Sequence, residues 1–180
     1  DDVMASLARQ ADEDAAEVLI ATSDKDELQM VNERISIVST VKDSVRMTPE
    51  EVQRKTGVRP DQVVDWLALV GDAADNIPGV AGVGPVTAAA WLQAYGSVDG
   101  MYEHLDELKP PRFRTILLLG RERLDVNRRM VRLNTELACP LDWNAVQVSG
   151  ATGTDLIAFY RKYELNSLVK GMTQPDLFAL

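Results

Sequence analysis

Gly71-Asp72-Ala73-Ala74-Asp75-Asn76-Ile77-Pro78-Gly79-Val80-Ala81-Gly82-Val83-Gly84-Pro85 is the most informative run of this chain. It opens with two carboxylates three positions apart and passes directly into a glycine-rich hairpin. Two unit charges about 4 Å apart repel by roughly 4 kcal/mol at an effective dielectric near 20. A hard divalent cation removes that cost, and Mg2+ prefers carboxylate and water oxygens. The hairpin offers the opposite chemistry. Glycines permit positive φ and close approach of the backbone. Pro85 starts a helix whose first N–H groups are unpaired and carry a partial positive charge. A phosphodiester can rest there without its bases being read. Together the two halves point to metal-dependent chemistry on a nucleic-acid backbone.

Helices flank this run on both sides. Upstream, Thr48-Pro49-Glu50-Glu51 has a capping Thr, Pro at the first helical position and Glu three residues after the cap. That helix stops at Gly57, and Pro60 opens another through Val63, Val64, Trp66, Leu67 and Val70. Downstream, Pro85 opens a helix through Trp91 and Leu92 that Gly96 closes. Ser97 caps a further helix through Met101, Tyr102 and Leu105. A long basic helix is expected from about Pro111 to Leu133, and a last one from Thr154 to Leu165. Trp66 and Trp91 fall at apolar helical positions and read as core.

Before Thr48 the pattern changes. Val3, Leu7, Ala8 and Ala11 recur at helical spacing. Glu17 to Thr22 reads as a short buried strand, Leu28 to Val31 as a helical turn, and Arg34 to Val41 as a second, β-branched strand. Strand, helix, strand predicts an α/β sheet. Asp24 and Asp26 follow the first strand, where such sheets place ligands. The expected organisation is residues 1–47 as the end of an α/β core, 48–170 as a mostly helical region, and 171–180 as a tail.

A chain of 180 residues, 46% hydrophobic and 26% charged, fits an ordinary globular domain and excludes a disordered one. No apolar run approaches the roughly 18 residues of a membrane helix, and no signal peptide opens the chain. The single Cys139 allows no internal disulfide and fits a reducing, cytoplasmic compartment. It reads as a small buried residue. The lone His104 reads as exposed and without chemistry. A net charge of −9 argues against a general nucleic-acid binder. Its distribution argues otherwise. Lys109, Arg112, Arg114, Arg121, Arg123, Arg128, Arg129 and Arg132 face only Glu122 and Asp125 over one stretch. An acidic region beside a basic one fits a metal site next to a phosphate-binding surface; a solvated helix face is the plain alternative.

The run from Leu67 to Gly84 closely resembles the 5′→3′ exonuclease domain of bacterial DNA polymerase I and the related flap endonucleases. Thr22-Ser23-Asp24-Lys25-Asp26 resembles that family's second acidic motif, with Ser23 where Gly is usual. Asp1-Asp2-Val3 resembles the tail of its Glu-x-Asp-Asp motif, and Tyr163 to Leu168 the segment that closes the domain. The resemblance implies a partial PIN-like parallel sheet followed by a helix–three-turn–helix region of helix-hairpin-helix type. It implies a two-metal nuclease using Mg2+ or Mn2+. Asp1 and Asp2 would serve one ion, with Asp2 acting at one remove. Asp24, Asp26, Asp72 and Asp75 would hold the other, directly or through water. Backbone around Gly79, Val80, Gly82, Val83 and Gly84, with Thr87, would grip duplex DNA, and carbonyls from Val80 to Val83 would hold K+.

Two departures stand out. Val86 occupies the position where the family usually has Lys, leaving more of that phosphate contact to Thr87. The family's first metal-bearing strand, its Glu two residues before Asp1 and its basic helical arch are not found. The implied activity is 5′→3′ exonuclease or 5′-flap endonuclease chemistry in a parent protein, with a DNA polymerase as a candidate partner and this chain as the C-terminal part of the domain. The competing reading is a duplex-binding module without catalysis.

Overall fold

The computed structural model describes residues 1–39, 45–147 and 153–173. Thr40 and Val41, the expected end of the second strand, and residues 174–180 of the expected tail lie outside them. The chain forms two compact units, Asp1–Leu141 and Asp142–Leu180.

The first unit begins with helix α1 (Asp2–Glu13), which leads into strand β1 (Val18–Ala21). A 3₁₀ turn (Asp26–Met30) follows, then β2 (Ile35–Val38). β1 and β2 run parallel, with Ile20 opposite Ile37. The expected α/β edge is therefore present. β3 (Arg46–Met47) joins β2 antiparallel, a strand of two residues that no periodicity announces. The buried face of α1 is Ala5, Ser6, Ala8 and Ala11, whereas Val3 is exposed. Of the expected stripe, Ala8 and Ala11 are buried and Leu7 half-buried; only Val3 departs from it. A strap over residues 134–141 holds the helix there. Ser6 Oγ donates to the Asn134 carbonyl at 3.0 Å and accepts the Leu137 amide. Gln10 Nε2 donates to the Cys139 carbonyl at 3.0 Å. Cys139 belongs to this strap and is half-buried rather than buried.

From Thr48 the unit is mostly helical. Thr48 Oγ1 accepts the Glu51 amide at the start of α2 (Pro49–Thr56), and Gly57 ends it at φ +82°. Glu51 does not return the contact to the cap; it pairs with Arg54. Pro60 opens a 3₁₀ turn (Pro60–Gln62) that leads into α3 (Val63–Val70). Next comes a two-strand antiparallel ribbon, β4 (Gly71–Asp72) against β5 (Ile77–Pro78). Helices α4 (Pro85–Tyr95), α5 (Val98–Glu103) and α6 (Arg112–Val131) complete it, with Ser97 capping α5 through the Gly100 amide. One apolar core runs through the unit, from Ile20, Ile35 and Ile37 of the sheet to Leu67, Leu92, Leu117 and Leu124 of the helices. Trp91 is buried and donates to the Lys109 carbonyl; Trp66 is only half-buried and reaches the Pro85 carbonyl at 3.2 Å.

The second unit contains α7 (Gly153–Lys162) and α8 (Asn166–Thr173). α7 is the expected last helix, and α8 extends beyond it. Among the described residues no helix is long and apolar enough to cross a membrane.

Candidate metal centre and nucleic-acid interface

Two turns distant in sequence bring acids together. The first leaves the C-terminal end of β1. Thr22 Oγ1 accepts the Asp24 amide at 3.1 Å, and Asp24 Oδ1 accepts the Asp26 amide at 3.0 Å, so the loop is folded on its own side chains. The second is the β4–β5 ribbon, where Asp72 Oδ1 accepts the Ala74 amide at 2.9 Å. One carboxylate oxygen each of Asp26, Asp72 and Asp75 lies within 4.8 Å of the others. Asp24 stands beside this triad and bears on it through its charge. Asp1 and Asp2 are outside the triad. Asp1 caps α1 without a side-chain bond, and Asp2 Oδ1 accepts the Asn134 amide at 2.9 Å.

The electrostatics of the triad are uneven. Burial, with the charges of Asp24, Asp75 and Asp72, pushes the Asp26 carboxyl up from 3.8 to about 6, against the pull of Lys25. Burial also pushes Asp72 up, but hydrogen bonds from Lys25 and from the Ala74 and Asp75 amides outweigh it and hold Asp72 below the usual carboxylate range. Lys25 Nζ lies 2.7 Å from Asp72 Oδ2. The triad thus has one ammonium for three carboxylates. Asp26 Oδ1 is buried with no hydrogen-bond donor. An all-oxygen set with an orphaned buried acceptor fits a hard divalent cation. Asp26, Asp72 and Asp75 would hold it.

One buried acid was missed from the sequence. Glu27 is fully buried, and neither carboxylate oxygen has a hydrogen-bond partner. Burial is the main cause that raises its pKa; the N-terminal ammonium opposes this and Asp24, Asp26 and Asp2 reinforce it. It follows Asp26 directly, so its burial comes from the same 3₁₀ turn that delivers Asp26. No spacing rule distinguishes it from an exposed turn acid.

The hairpin begins where the ribbon ends. A Cβ on Gly79 would lie 2.2 Å from the Val70 carbonyl oxygen, so only glycine lets the two strands meet. The Val80 amide donates to the Leu69 carbonyl at 2.8 Å, and the Val83 amide to the Val80 carbonyl at 2.9 Å. Gly82 adopts φ +77°. The amides of Gly82 and Gly84 find no acceptor among the described residues. Gly84 caps α4 without a side chain, and a Cβ there would meet nothing within 4 Å. Thr87 is half-buried, Val83 is buried, and Val86 is 84% exposed. Asn127 of α6 ties this region together, its Nδ2 donating to the carbonyls of Ala68 (3.1 Å) and Pro78 (2.6 Å).

Known proteins resemble this chain in sequence and fold. A family profile described as "5'-3' exonuclease, N-terminal resolvase-like domain" matches residues 1–57. Another, "5'-3' exonuclease, C-terminal SAM fold", matches residues 58–154. The chain belongs to the 5'-3' exonuclease family. It is 38% identical over 169 residues to the thermostable DNA polymerase I of Thermus thermophilus, covering 94% of this chain and 20% of that protein. It is 35% identical over 170 residues to the 5'-3' exonuclease of Aquifex aeolicus, covering 94% of this chain and 57% of that protein. The chain therefore spans about a fifth of the length of that polymerase. Among solved structures, the 5'-exonuclease of phage T5 with divalent zinc ions bound aligns with a TM-score of 0.67 at 21% identity, over 74% of this chain and 49% of that one. The phage T5 flap endonuclease in a complex with DNA and metal ions aligns at 0.65 and 19%, over 95% and 57%. These structures carry the same fold.

Proposed function

We propose that the chain forms part of a divalent-metal-dependent 5′ nuclease that hydrolyses DNA phosphodiesters, as a 5′→3′ exonuclease or 5′-flap endonuclease. The observation that carries this is the meeting of Asp26, Asp72 and Asp75 within 4.8 Å, with a buried oxygen left unpaired. The likeness to a phage flap endonuclease held with DNA and metal ions supports it. Asp26, Asp72 and Asp75, with Asp24 alongside, hold Mg2+ or Mn2+; Asp1 and Asp2 belong to a neighbouring ion site. Bound divalent ions activate water and stabilise the attacking and leaving oxygens of a phosphodiester. The chain's own residues do the rest. The free amides of Gly82 and Gly84, with Thr87 at the start of α4, hold backbone phosphates of a nicked, flapped or 5′-ended duplex. Gly79, Val80 and Val83 shape the turn, and K+ binds at carbonyls from Val80 to Val83. Residues 1–47 form the catalytic edge and 48–170 the DNA-binding region of a cytoplasmic protein that works with, or within, a DNA polymerase.

The test is cleavage of a 5′-flapped duplex in Mg2+, in Mn2+ and in chelator, by the protein and by Asp75→Asn. Cleavage that needs the metal and fails in the variant is expected. Equal rates for both proteins reject the metal role.

A second reading has its own observation. Lys25 already supplies the triad with a cation through its 2.7 Å contact with Asp72. A duplex-binding module without catalysis would look the same. It predicts salt-dependent duplex binding, no cleavage and no uptake of Mn2+.

A further inference from the structure

Helix α6 carries six arginines, and the fold uses most of them internally. Arg128 forms an ion pair with Asp65 at 2.8 Å and a two-pronged contact with Asp99 at 3.1 and 3.0 Å. Arg114 Nε donates to the Leu108 carbonyl at 3.1 Å. Arg121 lies 4.7 Å over the ring of Tyr102, and Arg112 lies 4.9 Å over that of Phe113. Arg123 is exposed and makes no such contact among the described residues. Among the described residues Arg129 also makes no such contact, nor does Arg132 just past the helix. Both face a different groove, beside Gln29, Pro60 and Asn134.

The position of Arg123 is what separates it from those two. It lies four residues before Asn127, on the face of α6 that Asn127 pins to the ribbon. It forms a wall of two adjoining cavities. One, of ≈570 Å³, also has Asp72, Asn76 and Pro78 in its lining. The other, of ≈120 Å³, has Gly79, Val80 and Ala81. Arg123 thus lines both the cavity it shares with Asp72 and the one beside the hairpin turn. It shares a cavity with Asp72, and among the described residues the two form no ion pair; Asp72 pairs instead with Lys25 and accepts the Ala74 amide. A guanidinium has five donors and no acceptor. Left without a carboxylate, it suits the paired oxygens of a phosphodiester.

We propose that Arg123 is a phosphate-contacting residue that holds the DNA backbone where it passes from the acidic triad to the hairpin. The proposal rests on the nuclease reading above and adds a residue outside both of its motifs.

The test is binding of a 5′-flapped duplex by the chain in Ca2+, across a salt series from 50 to 200 mM. Four proteins are compared: unaltered, Arg123→Ala, Arg123→Lys, and the double variant Arg129→Ala/Arg132→Ala. Circular dichroism checks that each is folded. Losing one phosphate contact lowers the slope of log affinity against log salt by about 0.9. Arg123→Ala is expected to show that drop, with affinity reduced about 5- to 20-fold. Arg123→Lys should keep the slope and recover part of the affinity, because a point charge replaces a fork. The double variant removes two charges and should leave the slope nearly unchanged. An unchanged slope in Arg123→Ala overturns the proposal and leaves the nuclease reading standing. So does an equal loss in the double variant, which would mean a general charge effect. No binding by the unaltered chain removes both.

Discussion

Only Asn76, Ile77 and Pro78 separate the acidic turn from the glycine hairpin, yet the two regions have opposite deficits. The turn has too many acceptors: three carboxylates meet, and Asp26 Oδ1 is buried without a donor. The hairpin has spare donors: the Gly82 and Gly84 amides have no acceptor among the described residues. Leaving a buried acceptor such as Asp26 Oδ1 unpaired is costly, whereas Gly82 is exposed and Gly84 half-buried, so their amides stay open to solvent. A cation satisfies the first region and a phosphate oxygen the second. A metal-bound phosphodiester satisfies both together. Side chains build the first region and backbone builds the second, so substitutions should act on them differently.

The largest effect is expected at Asp72. Asp72→Asn removes a ligand charge from the triad and the partner of Lys25. Cleavage of a 5′-flapped duplex should fall between 10²- and 10³-fold, about 3–4 kcal/mol of barrier. Duplex binding through the hairpin should survive. A parallel loss of binding would mean that the two regions are not separable.

The hairpin side breaks through its backbone. Gly79→Ala sets a methyl group against the Val70 carbonyl, with rigid main chain on both sides. A cost of about 3 kcal/mol in unfolding free energy is expected. Gly84→Ala, with open space around its Cβ and an ordinary φ of −106°, should cost no more than about 0.5 kcal/mol. Chemical denaturation of the two variants checks this, and equal costs would show that the ribbon is looser than its geometry.

How legible these two regions were in the sequence differs for the same physical reason. The hairpin depends on what glycine and proline do locally, so Gly79 to Pro85 could be read in order, whereas the ribbon of Gly71–Asp72 against Ile77–Pro78 was not foreseen. The α2 cap, the Gly57 stop and the Ser97 cap were legible for the same cause. The triad was half legible. Asp24 and Asp26 could be placed at a strand end, but only tertiary folding brings Asp26 to Asp72 and Asp75. What depends on packing was not legible. β3 is two residues long and exists because β2 offers it an edge. Glu27 is buried by its turn, not by its type. Arg128 looked like a phosphate contact until Asp65 and Asp99, at least 29 residues away, claimed it. Nothing in the spacing of α6 distinguishes it from Arg123.

The pH response of the metal-free chain tests the acidic side further. Asp26 titrates at about 6 in the folded chain against an ordinary 3.8. Between those values the folded chain keeps a proton that the unfolded chain has released. Stability therefore falls as pH rises through that window and stays lowered above it. Asp72 has the opposite sign: its stabilisation is present above its ordinary pKa and is lost in more acid solution. In chelator at pH 7, Asp26→Asn should stabilise the chain by about 2 kcal/mol and flatten its pH profile between 4 and 6. The same variant should lose most of the stabilisation that added Mn2+ gives the unaltered chain. Thermal melts with and without Mn2+ measure both. A variant less stable than the unaltered chain in chelator would mean that Asp26 is held by contacts stronger than the repulsion around it.

The smallest effect is a gain. Val86 stands at the second position of α4, 84% exposed, beside amides that have no acceptor among the described residues. An apolar side chain there adds nothing to an anion site, and its removal exposes no core. Val86→Lys places a cation at the rim of the hairpin without disturbing a contact. Duplex affinity should rise about threefold to tenfold at low salt, roughly 1 kcal/mol. The salt slope should steepen by about 0.9, the mark of one added phosphate contact. Because the charge lies on the donor side only, the metal dependence of cleavage should not move. A steeper slope with altered metal dependence would tie the two regions more closely than their geometry does. An unchanged slope would mean that DNA does not pass over this end of α4.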